Sequence, residues 1–221
     1  MGWAGFAAAF AAFFAIHSIP LRMPVRRRLS AALGARGFGM AYSALSLGAL
    51  VWLIVAAGRA PHVPLWPQAG WQPWVPLTAM LAACLILALA LGRPNPFSFG
   101  GPSEGFDPDR PGLVRWLRHP VLWALALWAG SHAVANGDLA HVILFGGFAG
   151  FAILGRGIID RRRRRLLGRQ WDELARRVRA APAAAPASWG GAMLRLAIGA
   201  MVWAVLIALH PAVIGVSPLP W

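Results

Sequence analysis

The chain of 221 residues has no lysine, one cysteine, one tyrosine and only seven acidic residues. A lone Cys84 excludes an internal disulfide, and with it the small secreted disulfide frameworks. Charge is scarce at 13% of residues, about half the share of a soluble globular protein. Walker loops, His-Glu-x-x-His helices, Cys-x-x-Cys pairs and nucleophile elbows are all absent, which removes the common hydrolase, nucleotide and redox-dithiol classes. What remains is apolar. Hydrophobic residues make up 58% of the chain, and mean hydropathy is +0.59. That excess has to face lipid. Twelve Trp, 25 Gly and 18 Pro suit membrane helices with aromatic belts and interrupted ends.

Six apolar stretches approach the ~20 residues needed to cross a bilayer: 3–21, 38–57, 74–91, 119–135, 139–159 and 192–210. The first reads as an uncleaved anchor, because Arg22, Arg26, Arg27 and Arg28 follow it, whereas a signal peptide carries its charge in front. All 21 basic residues are arginine, and 20 of them fall on one side of this six-span arrangement, with Arg59 alone on the other. The positive-inside rule then places both termini outside the cytoplasm. Trp66, Trp71, Trp74 and Trp221 would mark the outer interface, and Trp116, Trp171 and Trp189 the inner one. Backbone groups in hydrocarbon must be paired within their own segment, so the fold class is all-α: a polytopic helical bundle of about six spans in a single domain, 1–221. Gly146 and Gly150 form a small-xxx-small pair suited to close helix contact.

Two segments lie outside the bilayer in this reading. The stretch 92–118 holds five prolines and the acids Glu104, Asp107 and Asp109, and is expected to be an irregular cytoplasmic loop. The stretch 158–179 repeats apolar residues at Leu167, Trp171, Leu174 and Val178, the spacing of an amphipathic helix. Its basic face predicts an interfacial helix on anionic lipid, with Arg161 to Arg165 as a topology anchor rather than a nucleic-acid site. Residues 180–190 form an Ala/Pro linker into the last span.

Chemistry falls to the histidines. His17, His119, His132, His141 and His210 lie in or at the ends of spans, and His62 in an outer loop. An ionisable residue inside a membrane span marks a functional site by default, and imidazole is the commonest neutral metal ligand. Histidines that tie helices together by hydrogen bonds are the alternative. No carboxylate lies within a span, Asp138 and Asp160 being at ends, so nothing argues for a proton-driven transporter.

An ordered set of motifs narrows the field. Ile16-His17-Ser18-Ile19-Pro20, Tyr42-Ser43-Ala44-Leu45-Ser46-Leu47, and Pro61 with Leu65-Trp66 are followed by Pro94-Asn95-Pro96-Phe97-Ser98-Phe99-Gly100-Gly101. Then come Arg118-His119-Pro120, Leu127-Trp128-Ala129-Gly130-Ser131-His132 and Asn136-Gly137-Asp138. Over about residues 6–175 this resembles the NnrU family of bacterial membrane proteins, linked with denitrification and nitric oxide metabolism. That family is similar to 15-cis-zeta-carotene isomerase, an integral membrane enzyme of plants and cyanobacteria that uses haem b. The resemblance implies a haem b cofactor, with His17 and His132 as iron ligands and His119 as the Arg-His-Pro histidine.

Helix arithmetic tests that carry-over. His119 and His132 are thirteen residues apart, about 20 Å along a helix and some 140° around it, so they cannot share one iron. His17 and His132 are offset by roughly 14 Å in depth if both helices stand upright. His17 and His119 share the cytoplasmic level, which makes His119 the substitute ligand. Arg118 or Arg22 would neutralise haem propionates, or else act as snorkelling topology charges. The Tyr42 hydroxyl needs a partner in lipid and would line the site. Asn136 and Asp138 cap the turn between spans four and five, or Asp138 orients His132 or His141. Cys84 is packing. Three readings stand: a haem protein serving denitrification, a haem-dependent cis–trans isomerase of an apolar polyene or other hydrophobic small molecule, and a scaffold without catalysis. The partner common to all three is the lipid bilayer, and none calls for nucleic acid.

Overall fold

The structure, a computed structural model, describes residues 2–99, 102–182 and 188–220. Gly100, Gly101, Trp221 and positions 183–187 of the expected linker lie outside the described residues. Among the described residues the fold is all-helical. Seven α-helices follow one another: α1 (Trp3–Ser18), α2 (Met23–Gly58), α3 (Trp74–Ala90), α4 (Pro120–Asn136), α5 (Leu139–Leu167), α6 (Arg169–Ala180) and α7 (Trp189–Ile214). A single 3-10 turn, Gly112–Arg115, precedes α4, and the only β pairing described is one isolated bridge between Pro64 and Asp138.

Three helices, α2, α5 and α7, are long and apolar enough to cross a membrane. Only 11% of the apolar window of α7 is buried inside the protein. Exposed side chains such as Met201, Val205 and Leu209 therefore need lipid to cover them. Helices α1, α3 and α4 are shorter, at 16, 17 and 17 residues.

The chain forms two compact units. The first comprises residues 1–67 and 137–144. In it α1 packs on α2. Pro20 lies two residues past the end of α1, where its missing N–H and its ring stop the backbone ladder from continuing. The expected loop between the first two spans is instead helical from Met23, with Pro24 in its first turn. Gly34 interrupts it at φ 71 and ψ 163, a conformation open in practice only to glycine, and the helix resumes beyond. Segment 63–65 is pinned to 137–139 through Leu65 N–H to Gly137 O (2.8 Å) and Leu139 N–H to Val63 O (2.9 Å).

The second unit comprises 68–136 and 145–221. Helix α3 is its centre, packed on α4 and on α7. The α7 face that meets α3 carries Arg195, Gly199 and Trp203, spaced four apart on one stripe. Arg195 donates to Ala88 O (2.9 Å) and Leu91 O (3.1 Å), satisfying carbonyls at the end of α3. Trp203 Nε1 donates to Leu77 O at 3.0 Å. Between them a Cβ on Gly199 would come within 3.0 Å of Cys84 O and 3.1 Å of Ala88 Cβ. The close approach in this unit is therefore at Gly199, against the buried Cys84. A Cβ added at Gly146 or Gly150 would meet nothing within 4 Å, so the expected small-residue contact there is corrected.

Two further expectations change. Helix α5 does not stop at 159 but runs on to Leu167, carrying Arg161 to Arg165 in its last turns, since arginine is a good helix former. Gly168, at φ 54, makes the break. The amphipathic helix thus begins at Arg169 rather than 158, and its apolar face does not lie open to lipid. Trp171, Ala175 and Val178 form a buried cluster with Phe97, and Phe106, Val114, Leu167 and Leu174 pack around it. The proline-rich stretch is irregular as expected, but it folds onto α6 as a cap instead of standing in solvent. Trp171 meets Phe97 edge-on at 4.8 Å. Burial of so large an aromatic contributes about 4 kcal/mol as an upper bound.

The Gly199 contact is testable. Gly199→Leu should cost about 1–3 kcal/mol through overpacking. Gly146→Ala should be neutral or better, as glycine inside a helix gives way to alanine. Thermal unfolding of the detergent-solubilised protein, followed by tryptophan emission, checks both.

Candidate functional site

The densest polar constellation is built where the cap meets the start of α4 and the end of α5. Asn95 is buried; its Oδ1 accepts from Phe97 N (3.0 Å), its Nδ2 donates to Arg118 O (3.0 Å), and its backbone N–H donates to Pro102 O (2.8 Å). This turn places Ser98, fully buried, with its Oγ 3.0 Å from His119 Nδ1. His119 Nε2 lies 2.9 Å from Asp160 Oδ1, and Arg118 Nη1 donates to Asp160 Oδ2 at 2.9 Å. The Arg118 guanidinium also stands 5.3 Å from the Phe97 ring and 5.4 Å from the Trp171 ring. Arg163 Nη2 closes the arrangement on Ser98 O at 2.8 Å. One carboxylate, Asp160, thus serves two partners that are adjacent in sequence and 41 or 42 residues away from it.

A cavity of about 440 Å³ opens beside this network. Arg115, Arg118, Arg156 and Arg179 line it together with His119 and Asp160, and Phe97, Trp123 and Val178 supply apolar wall. Arg156 stacks over Trp123 at 4.2 Å. On the outer side of the cap, Arg177 makes a two-pronged ion pair with Asp109, its Nε donating at 3.3 Å. Hydrogen bonding from Arg177 holds the Asp109 carboxyl below the usual carboxylate range.

His17 and His132 sit in a different chemistry. In the first unit, His17 Nδ1 bonds to Phe13 O, one helical turn back, at 2.8 Å, and its ring packs 4.0 Å from the Phe13 ring. Tyr42 finds its hydroxyl partner here, donating to His17 O at 3.4 Å, and is stacked on Phe38. In the second unit, His132 Nδ1 bonds to Trp128 O, again one turn back, at 2.7 Å. Its ring lies between Trp128 (5.8 Å) and Phe145 (5.3 Å). A carbonyl can only accept, so both Nδ1 atoms donate, which leaves Nε2 as the lone-pair nitrogen of the neutral ring. Asn136 Nδ2 donates to His132 O at 2.8 Å and Gln68 Nε2 to Asn136 O at 2.9 Å, bracing the last turn of α4.

Asp138 caps the start of α5, its Oδ1 accepting from His141 N at 3.3 Å and its Oδ2 from His141 Nδ1 at 2.6 Å. It therefore orients His141. His210 Nδ1 bonds to Val216 O at 2.6 Å, and His62 is exposed. Arg22 flanks α2 as its N-terminal neighbour, in the first unit, while Arg118 belongs to the second. Sequence spacing did not reveal Asp160, Ser98 or Asn95 as site residues. The available signal was a lone acid set directly before five arginines, and the Pro-Asn-Pro-Phe-Ser-Phe motif itself.

Asp160→Asn should lower stability by about 2 kcal/mol, discounted for a pair one-third exposed, because buried His119 and half-buried Arg118 lose a charged partner. Asp109→Asn should change little at neutral pH, as its pair is fully exposed. A carboxyl with a lowered folded-state pKa stabilises above its unfolded value, and that contribution fades as pH falls through the folded one. The small difference between wild type and Asp109→Asn should therefore vanish in acid. Unfolding curves taken from pH 7 down to pH 3 test both statements.

Residues 5–218 match a family model described as NnrU protein. No curated protein and no solved structure matches the chain. With nearly its whole length covered, the chain belongs to the NnrU protein family.

Proposed function

We propose that this is a multi-pass inner-membrane protein that binds b-type haem through His17 and His132 and serves denitrification or nitric oxide metabolism. The observation that carries the reading is the shared state of those two imidazoles. Each donates Nδ1–H to a carbonyl of its own helix and keeps Nε2 without a hydrogen-bond partner among the described residues. A ligating histidine needs this arrangement, because the carbonyl fixes the tautomer and raises the basicity of the other nitrogen. Family resemblance supplies the identity of the pair.

Among the described residues no group of three or more His, Cys, Asp or Glu side chains could hold a bare metal ion. A porphyrin brings four nitrogens of its own and asks the protein only for axial imidazoles, so the donor set fits haem. Bound haem supplies a one-electron redox centre. His17 and His132 would hold it, Tyr42 steadies the helix turn that carries His17, and Asn136 does the same for His132. His119 is assigned elsewhere: both of its ring nitrogens are engaged, by Ser98 and Asp160. Arg118 is tied to Asp160 and lies about 20 Å before His132 along the helix direction, too far to serve a group bound there.

The same reading takes α1, α3 and α4 as crossings beside α2, α5 and α7, giving six. At 16 or 17 residues each spans about 25 Å, close to the ~30 Å hydrocarbon core, and local thinning makes up the difference. The arginine asymmetry supports termini outside the cytoplasm.

Purified protein should show a b-type haem spectrum, with haem removable by acid and organic solvent because no Cys-x-x-Cys-His is present. His17→Ala and His132→Ala should each lose haem or convert a six-coordinate spectrum to a five-coordinate one, while His119→Ala keeps the wild-type spectrum. Colourless protein from haem-replete cells that takes up no added haem overturns the reading, as does retention of the wild-type spectrum in all three variants.

A further inference from the structure

The arginine-lined cavity has no role in haem binding, and its charge is out of balance. Four guanidinium groups face it, from Arg115, Arg118, Arg156 and Arg179, against the single carboxylate of Asp160. Arg118 takes that carboxylate. No ion pair to a carboxylate is seen for Arg115, Arg156 or Arg179 among the described residues, so three positive charges remain.

The decisive atom is Arg115 Nη1, which is buried and has no hydrogen-bond partner. A buried donor left without an acceptor is destabilising, the more so when it is charged. The guanidinium is held against Trp116, 5.5 Å from its ring centroid. Arg156 is likewise held by its stack on Trp123, so two of the forks are fixed before anything binds. A carboxylate offers two acceptor oxygens, whereas a phosphate offers three or four, arranged to accept from several planar forks at once. The volume, about 440 Å³, is small-molecule scale. Phe97, Trp123 and Val178 give one side an apolar wall beside the charged one.

We propose that this cavity binds a phosphate-bearing ligand, its oxygens held by Arg115, Arg156 and Arg179, with the phosphate supplied by an anionic phospholipid headgroup or by a free phosphate. Asp160 keeps Arg118 and His119 in place at the edge of the cavity and does not contact the ligand. The proposal is independent of the haem reading, and its test uses no haem signal.

The experiment uses the full chain, purified and delipidated in a neutral detergent, with thermal unfolding and tryptophan emission as readouts. One arm titrates inorganic phosphate. The other compares nanodiscs of phosphatidylcholine alone with nanodiscs containing graded phosphatidylglycerol. Saturable stabilisation in either arm is expected: the phosphatidylglycerol arm responding alone identifies a headgroup, and the phosphate arm responding identifies a free ligand. Arg115→Gln and Arg179→Gln should each raise the half-saturating concentration about tenfold. Arg179 is exposed on α6, so its variant keeps the fold even if Arg115→Gln does not. Arg162→Gln, exposed and outside the cavity, should leave the response unchanged. Absence of saturation in both arms overturns the proposal, and so does an equal weakening by Arg162→Gln, which would mean diffuse charge attraction.

Discussion

The second unit hangs on one guanidinium. Arg118 stands at the faces of two aromatic rings, Phe97 of the cap and Trp171 of α6, while its fork reaches Asp160 near the end of α5 and its carbonyl accepts from Asn95. Four chain segments therefore meet at a residue one step before His119 and two before α4 begins. A lysine could not replace it, because only a planar cation stacks on rings and also presents a directional fork. With Arg118 in place, Phe97 and Trp171 can be buried beside a charge that is itself satisfied, and the apolar face of α6 has somewhere to go other than lipid.

This casts the arginine excess in a different light. Sequence alone reads the arginines as a topology signal, yet many of them also do local structural work. Arg195 satisfies the end of α3, Arg163 reaches Ser98 O, and Arg177 ties α6 to Asp109. With only seven acids for 21 arginines, backbone carbonyls and aromatic faces take the place of carboxylate partners. Where an aromatic face leaves a buried N–H without an acceptor, as at Arg115 Nη1 beside Trp116, the structure has donor capacity that suits an anion.

The helices themselves could be read from the sequence, because apolar length and proline placement are local. Boundaries were not always so. Arginine propagates a helix as well as leucine does, so a change from apolar to basic at 160 marks a change of environment and not the end of α5. Gly34 breaks a helix that no proline announces. The period of α6 was visible, but a stripe of Trp171, Leu174 and Val178 looks the same whether its partner is a lipid tail or Phe97, 74 residues earlier than Trp171. The site divides along the same line. Histidines bonding one turn back, as His17 and His132 do, lie within reach of spacing arguments. The partnership of His119 with Ser98 and Asp160 depends on tertiary folding of the cap, which no local pattern encodes.

The central claim is that the apolar face of α6 is docked on the cap. Hydrogen–deuterium exchange of the purified protein, compared between wild type and Trp171→Ala, tests it most directly. Loss of the indole should cost about 3–5 kcal/mol locally, so amides of 169–180 and of 94–99 should lose protection together while α3 and α7 keep theirs. Protection of 169–180 that survives Trp171→Ala, with 94–99 unaffected, would contradict the account.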